Sequence, residues 1–143
     1  METGYLAANL AALTGWIALI AAAVAPGARR WAWPYAGILL PAALAVGYVA
    51  LLFAYWSDST GGFGSLAGVR AVFDVPGLLL AGWLHYLVFD LVAGAWIARR
   101  GAADGLPPAA IVLCLVVTGL FSPIGLLVFL ALRAVRGGPV LTP

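Results

Sequence analysis

Leu80-Ala81-Gly82-Trp83-Leu84-His85-Tyr86-Leu87-Val88-Phe89-Asp90-Leu91 is the middle of an apolar run from about Gly77 to Ala98, opened by Pro76 and closed by Arg99-Arg100. About 20 apolar residues carry an α-helix across the ~30 Å hydrocarbon core of a bilayer. Backbone groups in lipid must bond internally, so a run of this length is a helix and not an open strand. Proline at the first helical position and arginine past the last turn punctuate such a helix. The run reads as a transmembrane span.

Three further runs share this character. One extends from about Tyr5 to Val24, ends at Pro26-Gly27 and is followed by Arg29-Arg30; a second extends from about Tyr35 to Trp56, after Trp31-Ala32-Trp33-Pro34. The last extends from about Pro108 to Leu132, opened by Pro107-Pro108 and closed by Arg133 and Arg136. Met1-Glu2-Thr3-Gly4 lacks the basic start of a secretory signal peptide, and the apolar core after it is too long for one, although Ala21 and Ala23 have the spacing of a cleavage site. The expected fold is an all-α integral membrane protein: one domain over residues 1–143, with four transmembrane helices at about 5–24, 35–56, 77–98 and 108–132. Four spans use roughly 80 residues and leave about 60 for loops and tails, too few for a soluble domain.

Composition agrees. Of the 143 residues 65% are hydrophobic and 8% charged, with a mean hydropathy of +1.11. Soluble domains carry roughly 25% charged residues, so a soluble enzyme, a nucleic-acid binder and a disordered chain are excluded. The net charge of +2 comes from seven arginines, no lysine and five acids, and is a matter of loops, not of a basic nucleic-acid patch. Arginine-only basicity with abundant alanine points to a GC-rich bacterial gene, hence a bacterial inner (plasma) membrane. Cys114 is the only cysteine, so no disulfide forms within the chain.

Four spans would place both termini on one side. Arg29, Arg30, Arg99 and Arg100 would then face Arg70, Arg133 and Arg136 across the membrane, and no basic residue precedes the first span. Both termini are expected outside, because the first helix usually dominates orientation. In the longest loop, Ser57 to Val75, the stretch Asp58-Ser59-Thr60-Gly61-Gly62-Phe63-Gly64 lacks the Lys-Ser/Thr of a phosphate cradle and reads as a flexible connector. Leu66, Val69 and Phe73 then fall at i, i+3 and i+7, the pattern of a short interfacial helix with those three in lipid and Arg70 among headgroups. Trp31, Trp33, Trp56 and Trp96 sit near span ends, as interfacial tryptophans do. Ala11/Gly15 and Gly94/Ala98 have the small-residue spacing of close helix packing, within one chain or in a homo-oligomer.

The third span holds the single histidine, His85, and an intramembrane carboxylate, Asp90. Ionisable groups at bilayer depth cost a few kcal/mol and are functional candidates by default. At 100° per residue the two lie about 140° apart around the helix and about 7.5 Å apart along it, while Trp83, Tyr86 and Asp90 share a stripe. The plainer alternative is a hydrogen-bonded structural carboxyl and a packed, neutral imidazole. One histidine makes a conventional metal or haem site in one chain improbable, so no metal and no cofactor is expected. In the fourth span Cys114, Thr118 and Ser122 follow one another at i, i+4 and i+8, and Pro123 kinks the helix near Phe121-Ser122-Pro123-Ile124-Gly125. Tyr48 and Tyr55 share one face of the second span, and Asn9 and Thr14 are polar positions in the first.

Trp83-Leu84-His85-x-Leu87-x-x-Asp90-Leu91, with Phe121-x-Pro123-Ile124-Gly125 downstream, resembles the abscisic-acid-deficient-four-like family of small four-span membrane proteins. The likeness extends to Val24-Ala25-Pro26, Pro34-Tyr35 and the segment from Leu66 to Phe73, and so covers nearly the whole chain. The plant member is required for making neoxanthin, an allenic carotenoid, from violaxanthin. The resemblance implies a carotenoid or other isoprenoid ligand and an isomerase without a redox cofactor. Opening a 5,6-epoxide to an allenic alcohol needs an acid at the epoxide oxygen and a base at the neighbouring chain carbon. Asp90 and His85 are the candidates, in either order. Trp83, Tyr86 and Phe89 would supply flat surfaces along the polyene, with Tyr48, Tyr55, Thr118 and Ser122 as further substrate contacts. The alternatives are a non-catalytic pigment- or lipid-binding or assembly partner, and a small oligomeric transporter with Asp90 as proton relay.

Overall fold

The computed structural model describes residues 1–136, and every element in it is helical. α1 is Glu2–Val24, α2 Pro26–Asp58, α3 Leu66–Phe73, α4 Pro76–Ala103, α5 Pro108–Leu120 and α6 Ser122–Val135. α1, α2 and α4 are each long and apolar enough to cross a membrane. α1 and α4 run parallel, with α2 antiparallel beside them: Gly4 meets Leu80 and Gly94 meets Leu19, while Gly37 faces Ala95, Gly47 faces Leu84 and Gly77 faces Tyr55.

α2 begins at Pro26, nine residues before the sequence-based start at Tyr35. Proline suits a first turn, and Arg29 Nε donates to the Ala22 carbonyl at 3.1 Å, stitching the new helix to the end of α1. Within α2 one turn, Tyr35–Leu39, widens to π geometry, where the Leu40 N–H reaches back to the Tyr35 carbonyl. Pro41 follows directly and has no N–H to continue the ordinary ladder, which accounts for the shift.

The expected fourth span is not one helix. Phe121 is extended (φ −145°, ψ 72°) and separates α5, of 13 residues, from α6, of 14. α6 then turns back. Gly125 packs so tightly on Thr118 that any Cβ there would overlap the Thr118 backbone, its Cα only 2.6 Å away. Phe129 packs edge-on against Trp96 (5.2 Å), and Arg133 pairs with Asp104 at 2.6 Å. Each arm is about 20 Å long, short of the ~30 Å core. α5 and α6 therefore form a hairpin that starts and ends at the Asp104 end of the bundle. The cause is local: Pro123 cannot donate to a helical carbonyl one turn back, and Gly125 lets the second arm approach the first. Met1 and Arg136 consequently lie at opposite ends of the bundle. Arg29, Arg30, Arg99, Arg100, Arg133 and Arg136 gather at one end, leaving Arg70 at the other.

The interior is built from small side chains. Ala18, Ala22, Ala32, Ala36, Ala95 and Ala98 let α1, α2 and α4 approach closely around Leu19, Ile97, Leu115 and Phe129. Towards the Met1 end Leu40, Leu44, Leu84, Leu87 and Leu91 pack around Ala8 and Ala12. Of the two small-residue pairs, Gly15 seats Leu40 and Leu91, and Gly94 seats Trp16, whose indole also lies against Gly119 of the hairpin.

α3 forms where expected, capped by the Ser65 hydroxyl accepting from the Gly68 N–H at 3.0 Å. Leu66 projects outward, but Phe73 turns onto α4 against Gly82, 2.6 Å from where a Cβ would stand. The glycine-rich segment before α3 is tied down. The Gly61 N–H donates to Ser59 Oγ (3.0 Å), the Gly62 N–H donates to the Gly68 carbonyl (3.2 Å), and Gly61 abuts the Gly68 carbonyl in a contact no side chain could share.

Candidate functional site

Trp83, Tyr86 and Asp90 form one stripe of α4. At its inner end Asp90 is 4% exposed, with the side chains of Tyr86 and Ser122 beside its carboxyl. Ser122 is the first residue of α6, so the tip of the hairpin comes to the middle of α4 and brings a hydroxyl near its buried carboxyl. Further out, Tyr86 stacks on Trp83 (5.2 Å between centroids, 28° between planes), and Trp83 meets Tyr5 of α1 at 5.5 Å. Trp83 Nε1 donates to Asn9 Oδ1 at 3.3 Å, and Asn9 Nδ2 donates to the Tyr5 carbonyl at 2.7 Å. Asn9 thereby fixes the indole edge.

The hairpin reaches α4 only as far as Asp90. Past its tip, towards the Met1 end, the stripe borders a cavity of about 580 Å³ whose walls include Tyr5, Phe73, Leu79, Leu80, Trp83 and Tyr86. Ligand pockets run from about 300 to 1,000 Å³, so a ring with a length of attached chain fits. The lining is mostly apolar and aromatic, with Glu2 at its Met1 end and the Tyr86 phenol on the side of Asp90.

His85 lies on another face. Its ring sits 4.7 Å from Phe89 and 5.9 Å from Tyr48 of α2, and it borders a second cavity of about 210 Å³ with Tyr48, Leu52, Trp56 and Phe63. His85 and Asp90 thus address different spaces. Phe73 and Gly82 line both cavities and form the wall between them.

The remaining sequence candidates divide accordingly. Tyr48 joins His85, while Tyr55 packs over Gly77. Thr118 Oγ1 donates to the Cys114 carbonyl at 2.7 Å and packs under Gly125, so its hydroxyl serves the hairpin. Thr14 shares a hydrogen bond with the Tyr35 hydroxyl, beside the widened turn of α2. Tyr5 and Phe73 are cavity residues that sequence reasoning passed over. The i, i+4 pairing of Tyr5 with Asn9 was the available signal for Tyr5, whereas nothing local announces that Phe73 turns inward. Among the described residues no three His, Cys, Asp or Glu side chains converge. The described site thus offers phenols, hydroxyls, two carboxyls (Asp90 and, at the cavity's Met1 end, Glu2) and one imidazole, as acids, bases and hydrogen-bond partners.

The ABA DEFICIENT 4-like family model matches residues 3–129, from the start of α1 to the middle of the hairpin's second arm. No curated protein and no solved structure matches the chain.

Proposed function

The chain belongs to the ABA DEFICIENT 4-like family, which relates it to neoxanthin synthesis, and from that premise we propose that it takes the ring end of a carotenoid-like isoprenoid into the cavity beside Trp83 and Tyr86 and isomerises an epoxide there to an allenic alcohol. The observation that carries this reading is that Tyr86 lines the cavity and stands one helical turn from buried Asp90 on the same stripe of α4. In the reaction the epoxide C–O bond breaks as its oxygen takes a proton. The adjacent chain carbon loses one, and its electron pair forms the second double bond of the allene. One proton enters and one leaves, with no redox change. Asp90, acting through the Tyr86 phenol, is the acid. His85 is the base, and an end group spanning both cavities requires Phe73 to move off Gly82.

In the membrane this reading sets the arginine-bearing end in the cytoplasm, following the bias of arginines to cytoplasmic loops. The cavity beside Tyr86 then opens to the outer leaflet, where an apolar end group enters sideways from lipid.

A second reading is a protein that holds the isoprenoid without transforming it, and the separation of His85 from Asp90 favours it. Expression in a host that accumulates violaxanthin, followed by pigment chromatography, decides between them. Catalysis gives a new isomeric peak that disappears in Asp90→Asn and falls in Tyr86→Phe. Unchanged pigment that co-purifies with the protein and is released in Trp83→Ala assigns it to holding. Turnover unaffected in both His85→Ala and Asp90→Asn removes the acid–base scheme.

A further inference from the structure

We propose that the arginine-bearing end carries a separate site for an anionic phospholipid of the adjoining leaflet, in a cleft between α2 and α4. The cleft encloses about 670 Å³ and is lined at its mouth by Arg29, Arg99 and Arg100, and deeper by Val92, Ala95 and Trp96. Trp33 stands at the mouth with two guanidiniums over its ring, those of Arg29 and Arg99, each 5.7 Å from the ring centre. Among the described residues no carboxylate pairs with Arg29 or Arg99. Arg29 uses only its Nε, towards the Ala22 carbonyl, which leaves its terminal nitrogens for a ligand. Asp104 faces Arg100 and Arg133 together, away from Arg29 and Arg99.

Two guanidiniums that flank one aromatic ring and lack an acid present converging donors of the kind that bind phosphate oxygens. What selects a lipid over a free anion is the rest of the cleft. From Arg99 inwards to Val92 is about 10 Å along the helix, and over that distance the lining turns apolar. Charge at the membrane surface with an apolar slot beneath it matches a phosphate head with its acyl chain, and basic pockets between helices on this side of a bilayer bind such heads. The site lies at the opposite end of the bundle from the cavity beside Tyr86 and does not depend on the isomerase reading.

The test uses the full chain in phosphatidylcholine vesicles containing dibrominated phosphatidylglycerol or, separately, dibrominated phosphatidylcholine, with tryptophan quenching as readout and Trp33→Phe to identify the signal of the cleft. Phosphatidylglycerol should quench at much lower mole fraction, and Arg29→Gln/Arg99→Gln should weaken that preference roughly 30-fold, at about one unit of surface-charge attraction per arginine. Arg30→Gln/Arg136→Gln removes the same charge at the same end outside the cleft and should leave the preference nearly intact. Equal quenching by the two lipids, or an equal loss in both double variants, overturns the site. Should the first double variant not fold, Arg99→Gln alone, at an exposed position, takes its place. Inorganic phosphate is added in a further arm: no displacement is expected, and full displacement at millimolar concentration reassigns the cleft to a free anion and overturns the lipid.

Discussion

Arg133 Nε and Asp104 Oδ2 lie 2.6 Å apart, and the pair ties the last turn of α6 to the turn that leads into α5. The guanidinium is 1% exposed, whereas the carboxylate keeps an open edge and also meets Arg100 at 3.1 Å. Asp104 is therefore the clasp that closes the hairpin at its base.

Breaking the clasp should cost stability. Losing one partner of a well-buried ion pair costs about 3–5 kcal/mol, and the open edge of Asp104 puts this case at the lower end. Asp104→Asn should lower the thermal unfolding midpoint in detergent by several degrees, and Arg133→Met, which fills the same space without charge, by less. An Asp104→Asn midpoint equal to that of the parent would show that the hairpin closes without the pair.

The hairpin also bears on topology. Glu2 and Asp58 lie at one end of the bundle and Arg136 at the other, so three crossings with a re-entrant loop would put them on opposite sides of the membrane. In a Cys114→Ala background, Glu2→Cys and Asp58→Cys should react with an impermeant maleimide added outside intact cells, and Arg136→Cys only after permeabilisation. Four crossings would give Glu2→Cys and Arg136→Cys the same behaviour.

Much of this was legible in the sequence, and the limits have physical causes. Apolar runs bounded by Pro76 and by Arg99-Arg100 announce a helix across a bilayer because backbone hydrogen bonds leave no other choice. The stripe Trp83, Tyr86, Asp90 follows from 3.6-residue periodicity alone. Pro123 was readable as a kink, yet whether a helix bends or doubles back depends on what the next turn packs against. Here the small Gly125 seated on Thr118 decides it, a contact between positions seven apart that only the folded chain reveals. The same contact bears on the arginines: a continuous fourth helix would set Arg133 and Arg136 apart from Arg29, Arg30, Arg99 and Arg100, whereas the hairpin gathers all six at one end of the bundle.

Gly125 should accordingly be intolerant of side chains. Gly125→Ala forces the hairpin arms apart at the tip, and overpacking of this kind costs about 1–3 kcal/mol. Because Ser122 sits three residues earlier and lies beside Asp90, the same change should shift its hydroxyl away from that carboxyl. The check is thermal stability together with pigment turnover or retention: both should fall in Gly125→Ala, whereas Gly105→Ala should lower stability alone, since that glycine, at φ +68°, lies in the distant turn after α4.

Phe73 separates the two cavities, and that makes it the most informative single position for the proposed chemistry. Its ring rests on Gly82, and both residues line the space beside Tyr86 and the space beside His85. Phe73→Ala should join the two into one. If a single end group must meet Asp90 through Tyr86 and also His85, removing the barrier leaves turnover intact or raises it, and His85→Ala abolishes turnover in either background. Gly82→Ala points the other way, because a methyl group there pushes Phe73 off its seat while still crowding the passage. Pigment chromatography on the four variants separates the outcomes. Turnover that falls in Phe73→Ala and ignores His85→Ala would confine the chemistry to the cavity beside Tyr86 and leave the imidazole a packing role with Tyr48 and Phe89.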